Sequence, residues 1–230
     1  MTAHPLDRPV WAALTSRHAP LAEGGPLAKR FPADILPFAA LRDDSPEAGH
    51  ALMAMLAPGA SVVLAEAEAV RLPAGLSPAS VAEAVQMVAD MPALARFLPA
   101  EDGAGLVPLG PSDAAEMLEL ATLTRPGPFS VKALSVGRFW GVRLEGRLAA
   151  MAGERLRQPG FTELSGVCTH PDFRGRGLAR TLSLFVAARI AATGDAPYLH
   201  AYAGNAAIRL YESIGFRLRC PMRIVTVRAG

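Results

Sequence analysis

The sequence predicts an α/β protein, a mixed sheet flanked by helices, and three observations carry that expectation. Residues 164–192 read as a strand (LSGVCT), a glycine-rich turn (HPDFRGRG) and a helix whose apolar residues Leu178, Leu182, Phe185, Val186 and Ile190 recur at helical spacing. A further strand at residues 198–202 follows that helix, so the two strands it joins run parallel in one sheet. Three strands in succession, residues 139–144, 147–153 and 161–169, come before the turn through short connections, which makes that part of the sheet antiparallel.

At 230 residues the chain forms one large domain or two small ones, with 51% hydrophobic and 19% charged residues, as in an ordinary soluble globular protein. The start, MTAHPLDRPVWAALTS, lacks the basic-then-apolar order of a signal peptide, and Arg189 interrupts the best candidate for a membrane span. Cys168 and Cys220 fit neither a disulfide framework nor a four-ligand metal site. A cytoplasmic protein with no membrane contact is expected. Charge is divided unevenly: residues 1–107 hold seven Lys and Arg against twelve Asp and Glu, residues 108–230 sixteen against nine. The second part suits an anionic ligand. A nucleic-acid face is not expected, because the arginines are scattered over several elements with few aromatics among them.

Taken in order, residues 33–42 and 61–70 each contain a strand. Residues 80–90 (SVAEAVQMVAD) read as an amphipathic helix, with Ser80 as N-cap, Glu83 three residues on, and Val81, Val85 and Val88 on one face. Pro92 and Pro99 punctuate the chain after it, and His18 and His50 lack partners at metal-ligand spacing. The polar stretch EDGAG at 101–105 marks a boundary between a structural half, residues 1–104, and a ligand-binding half, residues 105–230. After it come a strand at 106–109 and a helix from Pro111 to about Leu123, opened by a capping-box pair of Asp113 and Glu116. Arg125-Pro126-Gly127-Pro128 stops that helix. Glu145-Gly146 is a two-residue hairpin loop, and residues 157–160 make the next turn. Gly194 ends the long helix, Gly215 ends a short one at 206–214, and residues 216–219 and 223–227 suggest a closing hairpin.

The glycine-rich turn is built like a diphosphate site: glycines let backbone approach a ligand, and the free N–H groups at the helix start point into the turn. It is not the pattern G-x-G-x-x-G, since Arg180 stands at the third glycine, and it lacks the P-loop lysine. It does fit R/Q-x-x-G-x-G/A, with Arg174, Gly177 and Ala179 in the fixed places. With NAAIRLYESIGF at 205–216, this resembles the GNAT superfamily of acyl-CoA-dependent N-acetyltransferases. LSGVCTHPDFRGRGLA looks most like the glycine N-acyltransferase-like branch, whose members often carry a degenerate first half. The resemblance covers the chain from about Leu106 to its C-terminus.

The resemblance implies a GNAT-like sheet, acetyl-CoA as co-substrate without a metal, and direct transfer of the acetyl group to an amine. The acceptor it favours is a small amine or amino acid. Rival readings are a non-catalytic acyl-CoA-binding module and a protein N-acetyltransferase. It implies that Arg174, Gly175, Arg176, Gly177, Leu178 and Ala179 hold the diphosphate, with Arg180 as a further candidate. Backbone groups of Val167 and Thr169 hold the pantetheine arm, Val167 also polarising the acyl carbonyl, and Asn205 contacts the same arm. Tyr211 is the general acid, and Glu163 the first candidate for the base, with His200 and water as alternatives. Cys168 is read as a buried structural cysteine.

Overall fold

The computed structural model describes residues 4–67, 72, 76–95 and 105–229. Its strands are β1 (Glu23–Gly24), β2 (Ala28–Arg30), β3 (Ala39–Leu41), β4 (Ser61–Ala67), β5 (Pro78–Ala89), β6 (Leu106–Leu109), β7 (Phe139–Leu144), β8 (Arg147–Gln158), β9 (Phe161–Thr169), β10 (Ala196–Tyr202) and β11 (Phe216–Arg228). The helices are α1 (Pro9–Leu14), α2 (Pro46–Met53), α3 (Met91–Leu94), α4 (Ala114–Thr124), α5 (Leu178–Ala191) and α6 (Ala207–Ser213). The first three strands form a small antiparallel sheet. The others form one mixed sheet in the order β4-β11-β5-β10-β9-β8-β7-β6, so the predicted fold class holds. No helix among the described residues is long and apolar enough to cross a membrane.

One face of the sheet is covered by α5. Leu182, Phe185, Val186 and Ile190 pack there with Leu164, Leu199 and Trp140, which is why the helical stripe is apolar. The opposite face is covered by the start of the chain: Leu6, Val10, Leu14, Phe31 and Leu36 pack against Leu156 and Tyr198. The Glu145-Gly146 loop has φ of 52° and 74°, the paired positive values of a type I′ turn, and it joins β7 to β8 as predicted.

Residues 80–90 are not a helix but most of β5, which lies between β10 and β11. The valines spaced four and three apart imitate a helical face. Yet β-branched residues favour strands, and pairing on both sides outweighs local propensity. Ser80 and Glu83 sit opposite Thr226 and Arg223 rather than capping anything. The C-terminal segment is likewise one strand, not a hairpin. Its register against β5 shifts twice, between Leu218 and Cys220 and between Thr226 and Val227, and Pro221 is tolerated because described pairing with β4 begins only at Met222. Asp113 and Glu116 do not form a capping box together. Asp113 accepts from the Gly110 N–H at 2.8 Å, Glu116 accepts from the Leu148 N–H at 2.6 Å, and Arg143 bridges both carboxylates. β8 runs on to Gln158, beyond its expected end at 153. Residues 68–70, Pro99 and 101–104 of the expected boundary lie outside the described residues.

Candidate active site

β9 and β10 run parallel, but their ladder is short: Phe161, Thr162 and Glu163 pair with Ala196, Pro197 and Tyr198. β9 continues for six more residues along β8, with a register shift opposite Gly166, whose φ is 64°. A Cβ at Gly166 would stand 2.9 Å from the Phe139 ring, so the bulge needs glycine. Where β9 and β10 part, a cavity of about 760 Å³ opens at the C-terminal ends of the two parallel strands. Ligands favour such a crevice in α/β sheets.

One end of the cavity is the glycine-rich turn. Gly175 and Gly177 both have φ of 76°, and nothing stands within 4 Å of where their Cβ atoms would be. Gly177 is the N-cap of α5 and offers no side chain to it, so the first N–H groups of the helix keep their donors for a ligand. The Arg174 side chain has no hydrogen bond, ion pair or ring contact with the described residues, its backbone N–H donating to the Pro171 carbonyl. The Arg176 guanidinium lies over the Phe173 ring at 5.2 Å, and Arg180 Nη1 reaches Ser213 Oγ at 3.3 Å. Leu178 and Ala179 complete this end, and Val167 and Thr169 of β9 lead away from it. The Thr169 hydroxyl is buried with no hydrogen-bond partner. An open glycine cradle with an uncapped helix start suits a diphosphate, and an orphaned hydroxyl along the strand suits a polar arm such as pantetheine, so the residues present fit coenzyme A at these two parts. Asn205, also on the cavity, is exposed; its Oδ1 accepts at 2.9 Å from the N–H of Ala207, the first residue of α6.

Tyr211 projects into the same cavity from α6, its ring packed edge-on against Phe216 at 6.1 Å. Its hydroxyl makes no hydrogen bond among the described residues. Burial, with a smaller contribution from Cys168, pushes the phenol up to about 12, so it keeps its proton at neutral pH. Burial also pushes the Cys168 thiol up to about 11, which makes it a poor nucleophile and agrees with a structural role.

Glu163 and His200 belong to a polar row that crosses five strands, β8, β9, β10, β5 and β11. The Glu163 carboxylate is fully buried and accepts from Arg155 Nε at 2.8 Å, Arg155 Nη2 at 2.7 Å and the Leu156 N–H at 3.2 Å. His200 Nδ1 lies 2.7 Å from Glu163 Oε1, and its Nε2 lies 3.0 Å from Gln86 Nε2. Gln86 Nε2 also donates to the Leu6 carbonyl at 2.9 Å, while its Oε1 accepts from Arg219 at 2.8 Å. That pairing fixes the amide orientation, makes His200 Nε2 an acceptor, and leaves Nδ1 as the donor to Glu163. Burial alone would raise the Glu163 carboxyl, but the Arg155 charge and the hydrogen bonds from Arg155 and His200 hold it well below the usual carboxylate range.

All the sequence-predicted site residues except Glu163 line the one cavity; Glu163 lies beneath it, with its partners Arg155 and His200 on the wall. Sequence reasoning missed the other end, where Phe38, Val63, Ala65, Ser80, Ile224 and Thr226 form the wall together with Arg125 and Arg155. Gln86 had a visible signal, a lone amide in the apolar run AVQMVA; the others had none.

Comparison with known proteins gives the family. A family model described as FR47-like protein matches residues 140–225. The chain is similar to the crystal structure of an acetyltransferase assigned to the GNAT family from Novosphingobium aromaticivorans DSM 12444, at 44% identity and TM-score 0.89, over 99% of this chain and 100% of that one. It shares its fold with a GCN5-related N-acetyltransferase from Kribbella flavida, at 16% identity and TM-score 0.59 over 96% and 93% of the two chains. A GNAT-family acetyltransferase from Colwellia psychrerythraea has the same fold, at 16% identity and TM-score 0.51 over 84% and 80%. Comparison with curated proteins gives no match. The chain belongs to the GNAT family of acetyltransferases.

Proposed function

We propose that the protein is an N-acyltransferase that uses acetyl-CoA to acetylate the amine of a small molecule, in the manner of the glycine N-acyltransferase-like branch and without a covalent enzyme intermediate. The observation that carries this reading is the cavity itself. It joins an open diphosphate cradle to a protonated, unengaged tyrosine and continues past the parted strands to a wall that includes Phe38, Val63, Ala65 and Ile224, the acceptor chamber of this reading. A module that only bound the cofactor would have no use for that chamber.

In this reading the α5 N–H groups and Arg174 hold the diphosphate, and Val167 and Thr169 align the pantetheine arm along β9. Bound acetyl-CoA supplies an activated acetyl group. Val167 N–H polarises its carbonyl, the amine nitrogen forms the new bond to the carbonyl carbon as the carbon–sulfur bond breaks, and Tyr211 Oη gives its proton to the departing sulfur. The amine's own proton passes to water, and solvent returns a proton to the Tyr211 phenolate, which restores the acid. We assign no proton transfer to Glu163 or His200, because every lone pair and N–H they present is already engaged; their role is to fix the parting of β9 and β10. Residues 1–104 act structurally, with Phe38, Val63, Ala65, Ser80 and Ala82 contributing to the wall of the acceptor chamber, while residues 105–230 bind the acyl donor. Both described cysteines are free thiols, which suits a reducing compartment such as the cytoplasm.

The test is mass spectrometry of products after incubation with acetyl-CoA and a broad panel of small amines. Acetylated product from one chemical class is expected. Tight acetyl-CoA binding with no acetylated amine would overturn this reading and leave the two rivals, a binding module and a protein N-acetyltransferase.

A further inference from the structure

The cavity is one-sided in charge. Among the described residues lining it none is Asp or Glu, whereas Arg125, Arg155, Arg174, Arg176 and Arg180 all do so. Arg174, Arg176 and Arg180 stand on the turn and the start of α5, and Arg155 is committed to Glu163. Arg125 is different. Its side chain is exposed and makes no hydrogen bond, ion pair or ring contact with the described residues. It ends α4 at φ 52° and ψ 57°, a left-handed conformation that costs a non-glycine residue energy and tends to persist where a site needs it.

The loop that carries Arg125 runs along β9. Thr124 just before it reaches Cys168, and Pro126, Gly127 and Pro128 just after it share a wall with Ser165 and Gly166. A Cβ on Gly127 would stand 3.9 Å from Arg155 Nη1. Arg125 is therefore held beside the segment where the acyl group would sit, on the side of the acceptor chamber. The remaining walls of that chamber are mainly apolar: Phe38, Val63, Ala65 and Ile224.

We propose that Arg125 anchors a carboxylate of the acceptor, and that the acceptor is an amino acid or a similar amine bearing a carboxylate on an apolar body. This rests on the N-acyltransferase reading above and names its substrate class. A second ammonium group, as in a polyamine or a lysine-rich peptide, would enter a chamber with no anion among its described residues and arginine on its walls, and like charges there exclude it. A carboxylate meets a guanidinium whose fork geometry matches it. The apolar walls take the side chain of the acceptor and leave the amine to the crevice.

The experiment compares the wild-type protein with Arg125→Gly and Arg125→Lys. Glycine accepts the left-handed conformation at no steric cost, so the first variant removes the guanidinium without adding strain. Each protein is assayed with acetyl-CoA and two matched pairs, phenylalanine against 2-phenylethylamine and leucine against 3-methylbutylamine. The ratio within each pair, compared across variants, cancels the basicity of the amines themselves. The wild type is expected to favour the carboxylated member. Arg125→Gly should lower kcat/KM for that member by about 10–100-fold, mostly through KM, and leave the decarboxylated amine and acetyl-CoA affinity unchanged. Arg125→Lys should lose less. Binding of N-acetylphenylalanine to the CoA-saturated protein, read by calorimetry, should weaken in parallel. A wild-type preference for the decarboxylated amines, equal losses in both series, or loss of acetyl-CoA affinity in Arg125→Gly would overturn the assignment. If acetyl-CoA binds but no amine is acetylated, the small-amine reading fails by itself. N-acetylphenylalanine binding that depends on Arg125 would then still support the anchor, and binding indifferent to Arg125 would overturn it.

Discussion

The two ends of the cavity are built on different principles. The cofactor end is made by a nearly continuous run of chain, from Leu164 on β9 through the turn to Arg180 on α5, and it offers backbone groups and empty space. The acceptor end is assembled from β4, β5, β8, β10, β11 and the loop after α4, and it offers side chains. A ligand gripped by backbone demands glycines at fixed spacing, which constrains a short stretch of sequence. A ligand gripped by side chains from many elements constrains no stretch at all. The comparison also separates two kinds of dependence: the cofactor end relies on conformation, whereas the acceptor end relies on a buried electrostatic row that holds the strands in place.

Tyr211, where the two ends meet, gives the largest expected effect. Tyr211→Phe keeps the ring against Phe216 and removes only the donor, so kcat should fall by about 10²–10⁴-fold while acetyl-CoA affinity and melting temperature barely change. Steady-state kinetics beside a thermal melt decides it. Wild-type kcat in the variant would take Tyr211 out of the chemistry and leave thiolate protonation to water.

Glu163 tests the electrostatic side of the comparison. Glu163→Gln leaves the Arg155 guanidinium facing a neutral amide in a buried setting, and breaking such a pair costs about 3–5 kcal/mol. For a chain of this length that is a fall in melting temperature of roughly 6–20 °C. Surviving folded protein should keep much of its kcat. The opposite pattern, an unchanged melt with kcat reduced by orders of magnitude, would make Glu163 the base after all. The wild-type carboxyl is held below its unfolded value, so the stability it contributes is complete above about pH 4.5 and is lost as pH falls from there.

Gly177→Asp tests the conformational side. The residue has φ of 76°, so any side chain is strained there by about 1–2 kcal/mol, and a carboxylate would also face the diphosphate. Acetyl-CoA affinity should fall by about 10–100-fold, measured by calorimetric titration. Unchanged affinity in a folded variant would move the diphosphate elsewhere.

The features legible in the sequence divide along the same line. The turn, α5 and the β7–β8 hairpin were legible because each is a local event with glycine or helical period as its mark. β5 was misread because its valines fall at helical spacing, and only its neighbours on both sides, β10 and β11, make it a strand. The same long-range pairing turned an expected C-terminal hairpin into a single strand. The commitment of Glu163 to Arg155 could not be read either, since it depends on the register between β8 and β9 and on two irregularities within it. Phe38, Val63 and Ser80 reach the cavity only through the arrangement of the whole sheet.

The smallest expected effect concerns the reverse of the acceptor wall. Val63 and Ala65 of β4 face the chamber, so Glu66 points the other way, where it is buried with the Arg8 guanidinium 3.5 Å off. Burial pushes its carboxyl up to about 7, Arg8 opposing and Asp44 adding to the rise. A group whose folded value is raised stabilises the fold fully below its unfolded value, near pH 4.5, and that contribution is lost as pH climbs through about 7. Glu66→Gln does not titrate, so it should match the wild type near pH 4.5 and exceed it above pH 7 by roughly 1–3 kcal/mol. Thermal melts of the two proteins at pH 4.5, 6 and 8 give the result directly, as a gap that widens with pH by several degrees. A gap constant across the series would mean that Glu66 has the same proton affinity folded and unfolded. A variant less stable than the wild type at pH 8 would mean that Arg8 holds Glu66 as a carboxylate. The acceptor wall would then rest on an ion pair behind it, as the crevice rests on Arg155 and Glu163.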